Sequence, residues 1–376
     1  MKFQNLISGI SNRVFKYVNE RRGWSTSRKI IVIESDDWGA IRTPDMEVYK
    51  KSIQNGINLD KSIFGKYDSL ASNEDFEALY DVLLKHKDMK GNYPIITANT
   101  IMANPDFIKI KESNFEKYYF EPFTETLKKY PNRNFKIWQE GINKNIFFPQ
   151  LHGREHLNIN RWMKSLQSGC KATHFAFDNN YFGISEKVCS GVPNILPALD
   201  YDSDEGLILG NQSIIESIHM FKQVFGYSPQ SFIGPNYYWH DQSEKYLAQN
   251  DIKYLQGTYT QRLPKENYKY HYLGEKNIYN QIYLIRNVTF EPASSIEKDW
   301  IRSTILEIEK SIRLKKPIII SMHRVNFIGS IFEENRKRNL YLFDKLLSEI
   351  IKRWPDIEFM NSVQLGSLIS NDLKKV

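Results

Sequence analysis

The chain has 376 residues, 41% hydrophobic and 25% charged, with a formal net charge of +7. That length and balance describe a globular chain with a large core and exclude a disordered or fibrous one. No apolar run approaches the roughly 18 residues needed to cross a bilayer, and polar residues interrupt Met1 to Phe15 where a secretory signal would be continuously apolar.

Two cysteines, Cys170 and Cys189, are free to pair but too few for a disulfide framework, and they lack CxxC spacing. A cytoplasmic address is the expectation from these features. The positive charge is concentrated at the start. Residues 1 to 29 hold Lys2, Arg13, Lys16, Arg21, Arg22, Arg28 and Lys29 against the single acid Glu20. No basic stripe recurs further on, so nucleic acid is not an expected partner.

In chain order, Phe3, Leu6, Ile7, Ile10, Val14 and Val18 recur at helical spacing and predict an amphipathic helix with a basic face. Two readings stand for it, a helix lidding the bottom of the fold or a peripheral contact with a membrane surface through residues 1–25. Strands are then predicted at Lys29–Glu34, Tyr93–Asn99, Asn145–Leu151, Thr173–Asp178, Gln230–Gly234, Ile252–Gln256, Ile282–Val288, Pro317–Met322 and Ile357–Met360. Helical periodicity marks Asn73–His86, Phe115–Lys129, Asn158–Ser168, Gln212–Phe225, Asp241–Gln249, Ser295–Leu314 and Glu333–Arg353. Strands separated by helices imply parallel pairing with crossovers, and seven to nine of them in this length favour a (β/α) barrel. The organisation is then residues 1–27 as a basic helix and 28–376 as one barrel, with insertions near 42–72 and 259–281.

Three strand ends carry polar residues suited to chemistry. The first strand runs into Glu34-Ser-Asp-Asp-Trp-Gly39, and two adjacent carboxylates at a buried strand end call for a cation or a shared proton nearby. One of them would also serve as a helix cap. The second end is Leu151-His-Gly-Arg-Glu-His156. Two histidines four apart face the same way on a helical turn and can share a metal, although such pairs also arise by chance. The third is Ser321-Met-His323, a lone histidine that is ordinarily a hydrogen-bonded core residue. In a (β/α) barrel all strand C-termini share one face, so the three sets would converge. One carboxylate and two imidazoles leave open positions on a divalent ion, zinc by ligand type. Such an ion lowers the pKa of bound water toward ~7 and polarises a carbonyl. A second carboxylate and a distal histidine complete a base and an acid for amide hydrolysis.

These motifs resemble those of the NodB-type polysaccharide deacetylases, carbohydrate esterase family 4, whose fold is a distorted (β/α)7-type barrel of the glycoside hydrolase/deacetylase superfamily. The resemblance spans roughly residues 28 to 370. It implies Asp36 as general base, Asp37 with His152 and His156 as metal ligands, and His323 as general acid. Phe232-Ile-Gly-Pro-Asn-Tyr-Tyr-Trp239 stands where the family has Phe-Arg-Pro-Pro-Tyr, so the arginine that orients the base is missing. Arg286, Arg324 or Arg154 would have to replace it. The same match offers the Asn236 backbone to the oxyanion. Separately, the aromatic cluster Tyr237-Tyr238-Trp239 has faces that stack on sugars, Trp239 foremost, and that serve as core just as often. The family's fourth motif is echoed by Glu291 and by Asp299-Trp300.

The implied activity is removal of an N- or O-acetyl group from a sugar or polysaccharide precursor, nucleotide- or lipid-linked. Rival readings are a non-catalytic carbohydrate-binding relative, a glycoside hydrolase on a related barrel, and an H-x-x-E-H zinc protease with Glu155 as base and Glu216 as a further ligand.

Overall fold

The computed structural model describes residues 18, 20–183, 193–264 and 267–375. The helix expected over Phe3–Val18 therefore falls almost wholly outside the described residues, as does Cys189. Cys170 is disulfide-bonded.

Nine strands form one sheet: β1 (Lys29–Trp38), β2 (Ile96–Thr100), β3 (Phe147–Leu151), β4 (Ser231–Phe232), β5 (Tyr254–Gly257), β6 (Ile282–Ile285), β7 (Val288–Thr289), β8 (Ile318–His323) and β9 (Ile357–Met360). The order is β6-β5-β4-β3-β2-β1-β8-β7, all parallel, with β9 paired to the first residues of β1. The two ends of that order are neighbours in sequence. Only Arg286 and Asn287 separate β6 from β7. The Arg286 amide bonds Gly257 O at 2.8 Å on one side and the Asn287 amide bonds Ile319 O at 3.2 Å on the other. One extended segment thus joins both edges, and the sheet curls into a distorted barrel of seven staves with β9 as an extra short strand. The expected (β/α)7-type architecture is what the chain adopts.

The strands form where β-branched residues run together. β1 opens Lys-Ile-Ile-Val-Ile and all residues after Lys29 are buried, the near-continuous apolar run of a strand covered on both faces. β3 contains Pro149, which has no amide to give the ladder. Gln150 beside it ties the strand to the next one: its Oε1 accepts from the amides of Gln230 and Ser231 at 3.0 and 2.7 Å. Helices Asn73–Leu83, Phe135–Asn143, Asp204–Phe225, Trp300–Arg313 and Glu333–Arg353 pack their apolar faces on the strands in one buried cluster. A second, smaller core holds Ile41, Trp162, Phe177 and Tyr181. Among the described residues no helix is long and apolar enough to cross a membrane.

Two expected elements differ. Thr173–Asp178, expected as a strand, lies in the helix Lys171–Asp178; its buried residues Thr173, Ala176 and Phe177 follow the three-and-four step of a helix rather than alternation. The helix expected over Phe115–Lys129 reduces to Phe123–Lys128. Asn114 and Phe115 take positive φ, Phe120–Pro122 pairs antiparallel with Ala103–Pro105, and Pro122 ends that strand and stands at the N-cap of the shortened helix. Residues 42–72 contain the short helices Met46–Gln54 and Ile63–Lys66, and the 259–281 stretch contains a hairpin of Thr260–Leu263 with Asn267–Tyr270.

Candidate metal centre and its acid–base pair

The site is made where β1 stops being regular. Its register against β2 shifts between Ser35 and Trp38, and Asp37 takes φ 73°, a conformation few non-glycine residues adopt. Trp38 holds that irregularity in place. Its indole donates to Ser35 Oγ at 3.0 Å, and its ring, 1% exposed, packs among Phe76, Trp138, Phe147 and Phe327. Gly39 follows with φ 83°, where a Cβ would stand 2.4 Å from Ile101 O. The bulge lets Asp36 and Asp37 face different partners.

Asp37 meets the two histidines. His152 Nε2 lies 3.4 Å and His156 Nε2 3.5 Å from Asp37 Oδ1, and all three residues are buried. His152 Nδ1 lies 2.9 Å from Ile233 O. A carbonyl can only accept, so Nδ1 carries the proton and Nε2 keeps its lone pair for an ion. Asp37 Oδ1 accepts no hydrogen bond among the described residues although it is buried, a state that costs free energy unless a cation completes it. The donor set and the orphaned oxygen fit a divalent ion.

The histidines are not on a helix, as their spacing predicted. Residues 152–156 form an irregular loop after β3, with Gly153 at φ 100° packed near Pro235. Burial lowers the His156 pKa to about 3, against the pull of the Asp37 carboxylate, so it is a neutral imidazole ready to ligate. Burial opposes charge on Asp37, but Arg42, then His156 and His152, hold its carboxyl well below the usual range.

Asp36 turns into the barrel. Arg286 grips it through two parallel contacts of 2.6 Å, Nη1 to Oδ2 and Nη2 to Oδ1, and donates from Nε to Glu34 Oε2 at 2.6 Å. Asn99 Nδ2 adds a bond to Oδ1 at 2.7 Å. Burial alone would raise this carboxyl, and Arg286 outweighs it, so Asp36 stays ionised. Of the three candidate replacements for the missing arginine, Arg286 is the one bonded to Asp36. Arg324 binds Asp68, and Arg154 binds Glu155 and Glu216.

His323 Nε2 stands 3.8 Å from Asp36 Oδ2. Its Nδ1 is paired with Glu291, which also accepts from Asn326 Nδ2, and the edge of Phe64 meets its ring at 5.0 Å between centroids. Burial disfavours the imidazolium, yet Glu291 and then Asp36 outweigh it and raise the pKa to about 10.

The remaining predicted residues take other places. Trp239 is 2% exposed, with its indole donating to Glu244 at 3.1 Å, so its faces are occupied by the core and offer no sugar platform. Asn236 sits in a left-handed turn at φ 56°, half-buried in the loop that also supplies Ile233 O to His152. Asp299 caps the helix that Trp300 begins. Glu155 is held by Arg154 and by Tyr118 Oη at 3.0 Å, in a loop rather than the long helix a zinc protease motif needs. Arg42, Asp68, Asn99 and Phe64 were missed. Asn99, a polar residue at the end of a buried strand, carried the same signal as the others.

No family model matches the chain, and no curated protein matches it. Among solved structures it is similar to a protein described as a glycoside hydrolase/deacetylase from Parabacteroides distasonis, at 11% identity over 92% of this chain and 72% of that one, TM-score 0.48. It is also similar to one described as a polysaccharide deacetylase from Mycobacterium smegmatis, at 9% identity over 93% of both chains, TM-score 0.46. A third is a CE4 family pseudoenzyme from Bacillus anthracis, at 10% identity over 90% of this chain and 66% of that one, TM-score 0.35. In its motifs the chain is similar to the NodB-type polysaccharide deacetylases.

Proposed function

We propose that the protein is a metal-dependent hydrolase that removes an N-acetyl group from a sugar. The observation that carries this reading is the buried, unpartnered Asp37 Oδ1 facing two imidazole nitrogens, with an ionised carboxylate and a protonated imidazole close by. Bound by Asp37, His152 and His156, a divalent ion, zinc by ligand type, would acidify a water and polarise the acyl carbonyl.

The other steps belong to the chain. Asp36 Oδ2 takes the proton of the attacking water, while Arg286 and Asn99 fix its plane and Arg286 keeps it ionised. His323 Nε2 gives a proton to the departing nitrogen, because Glu291 occupies Nδ1 and keeps the ring charged at neutral pH. The environments of Asp36 and His323 push the two pKa values apart, which supports the carboxylate as base and the imidazolium as acid. The test is acetate release across N-acetylated sugars, nucleotide sugars and oligosaccharides. Release from an O-acetylated ester but from none of these would change the bond assigned; release from none at all would end the proposal.

We further propose an intracellular precursor as substrate, nucleotide- or lipid-linked, met at the cytoplasmic face of a membrane. The basic, amphipathic pattern of residues 1–25 supports it. The disulfide at Cys170 speaks against it, since cytosolic thiols stay reduced. Thiol titration of the freshly isolated protein decides between the two, and a chain wholly recovered in the soluble fraction would remove the membrane contact.

A further inference from the structure

We propose that Arg42 is a positioning residue of the metal centre, reserving one carboxylate oxygen of Asp37 for an ion and closing off the other. The inference rests on Asp37, His152 and His156 being ligands. The two oxygens of Asp37 differ in their surroundings. Oδ1 faces both imidazoles and accepts no hydrogen bond among the described residues. Oδ2 accepts from Arg42 Nη2 at 3.0 Å.

A free carboxylate takes a cation through one oxygen or through both. A charged donor on Oδ2 occupies one of its lone pairs, and its positive charge repels a cation from that side. Arg42 therefore makes Asp37 a one-oxygen ligand, and a site with fewer protein oxygens keeps more positions open for water and an acyl oxygen.

Arg42 is itself locked. It is 4% exposed, its Nε lies 3.5 Å from Asp68 Oδ2, and its guanidinium stands 5.5 Å from the centre of the Phe64 ring. Asp68 is fully buried and also receives Arg324 through Nε at 3.0 Å and Nη2 at 3.3 Å. Arg324 Nη2 then donates to Ala40 O at 2.5 Å, in the turn where the Ala40 amide bonds Asp37 O at 3.2 Å. The chain of contacts Asp37–Arg42–Asp68–Arg324 thus begins at the ligand and returns to its own backbone three residues on. It alternates two acids with two bases, so it buries no net charge, the condition under which such a network is tolerated. Arg324 follows His323 directly, and the same contacts tie the ligand to the strand end that carries the proton donor. The 42–72 segment, unremarkable in sequence, is by this account part of the centre.

Cobalt tests it, because its visible spectrum depends on coordination number and geometry. The full chain is stripped with a chelator and reloaded with Co2+. In Arg42→Met we expect a weaker band at changed wavelength, as Asp37 brings its second oxygen to the ion, with Arg42→Lys returning toward the parent spectrum because a cationic donor is restored. Asp68→Asn, which loosens Arg42 without removing it, should move the spectrum the same way by less, and it keeps the test decisive if Arg42→Met does not fold. Parent-like spectra in the folded variants would overturn the role of Arg42. A parent chain that takes up no cobalt would instead overturn the metal reading beneath it.

Discussion

Replacing Arg286 by Met tests how the barrel seam, the base and the stability are joined. The guanidinium is 4% exposed and serves two buried carboxylates, Asp36 and Glu34, at contacts of 2.6 Å. With charge centres about 4 Å apart and an effective dielectric near 20, one such pair is worth about 4 kcal/mol, and removing one partner of a buried pair costs about 3–5 kcal/mol. Asn99 still donates to Asp36 and Ser362 to Glu34, which keeps the loss near 4 kcal/mol rather than twice that. Against a total of about 5–15 kcal/mol, urea denaturation should show a large fall in midpoint. The loss should also depend on pH. Asp36 titrates below its unfolded value, so its pairing stabilises the parent above about pH 4 and fades as the pH falls further. The gap between parent and variant is therefore widest near neutrality and narrows in acid. Arg286→Lys, a point charge without the planar fork, should fall between them. A stability within about 1 kcal/mol of the parent, or a gap that widens in acid, would refute the reasoning.

Other outcomes follow from the same geometry. Asp36→Asn should retain bound metal and lose turnover by about 10²-fold or more, measured as metal content and acetate release on one preparation; unchanged rate would mean the base lies elsewhere. Glu291→Gln should bring the alkaline limb of the rate profile down, because the imidazolium of His323 is held to about 10 chiefly by that carboxylate against burial. A profile whose upper limb does not move would deny His323 the acid's role. Trp38→Ala should cost about 3–5 kcal/mol in denaturant unfolding, and, because the indole pins the bulge that turns Asp37 inward, it should weaken metal retention as well.

Much of this was legible in the sequence because the chemistry sits at strand ends. Lys29–Ile33, Phe147–Leu151 and Pro317–Met322 announce buried strands, and the polar residues that follow them stand out against the apolar runs. What brings them together is barrel closure, and closure is a long-range property. Arg286 looked no better than Arg324 or Arg154 as the base's partner, because nothing local says that residues 286 and 287 bridge β5 to β8. Trp38 follows the Asp-Asp pair directly, and nothing local tells that its indole wedges the bulge. Trp239 had the composition of a sugar platform, and only its burial against Glu244 tells core from surface. The histidine pair was found for a partly mistaken reason. Four-residue spacing suggested a helix, whereas a glycine at φ 100° bends a loop to the same end. Arg42 and Asp68 gave no local signal, since an ion-pair chain between segments 26 residues apart has no periodicity to read.

The most direct measurement is the metal content of the purified chain and of three variants, Asp37→Ala, His152→Ala and His156→Ala, by elemental analysis after exhaustive dialysis. The account predicts one divalent ion per parent chain and a marked loss in each variant, with acetate release falling in step. A parent chain that releases acetate while free of metal, or variants that hold the ion as firmly as the parent, would contradict it.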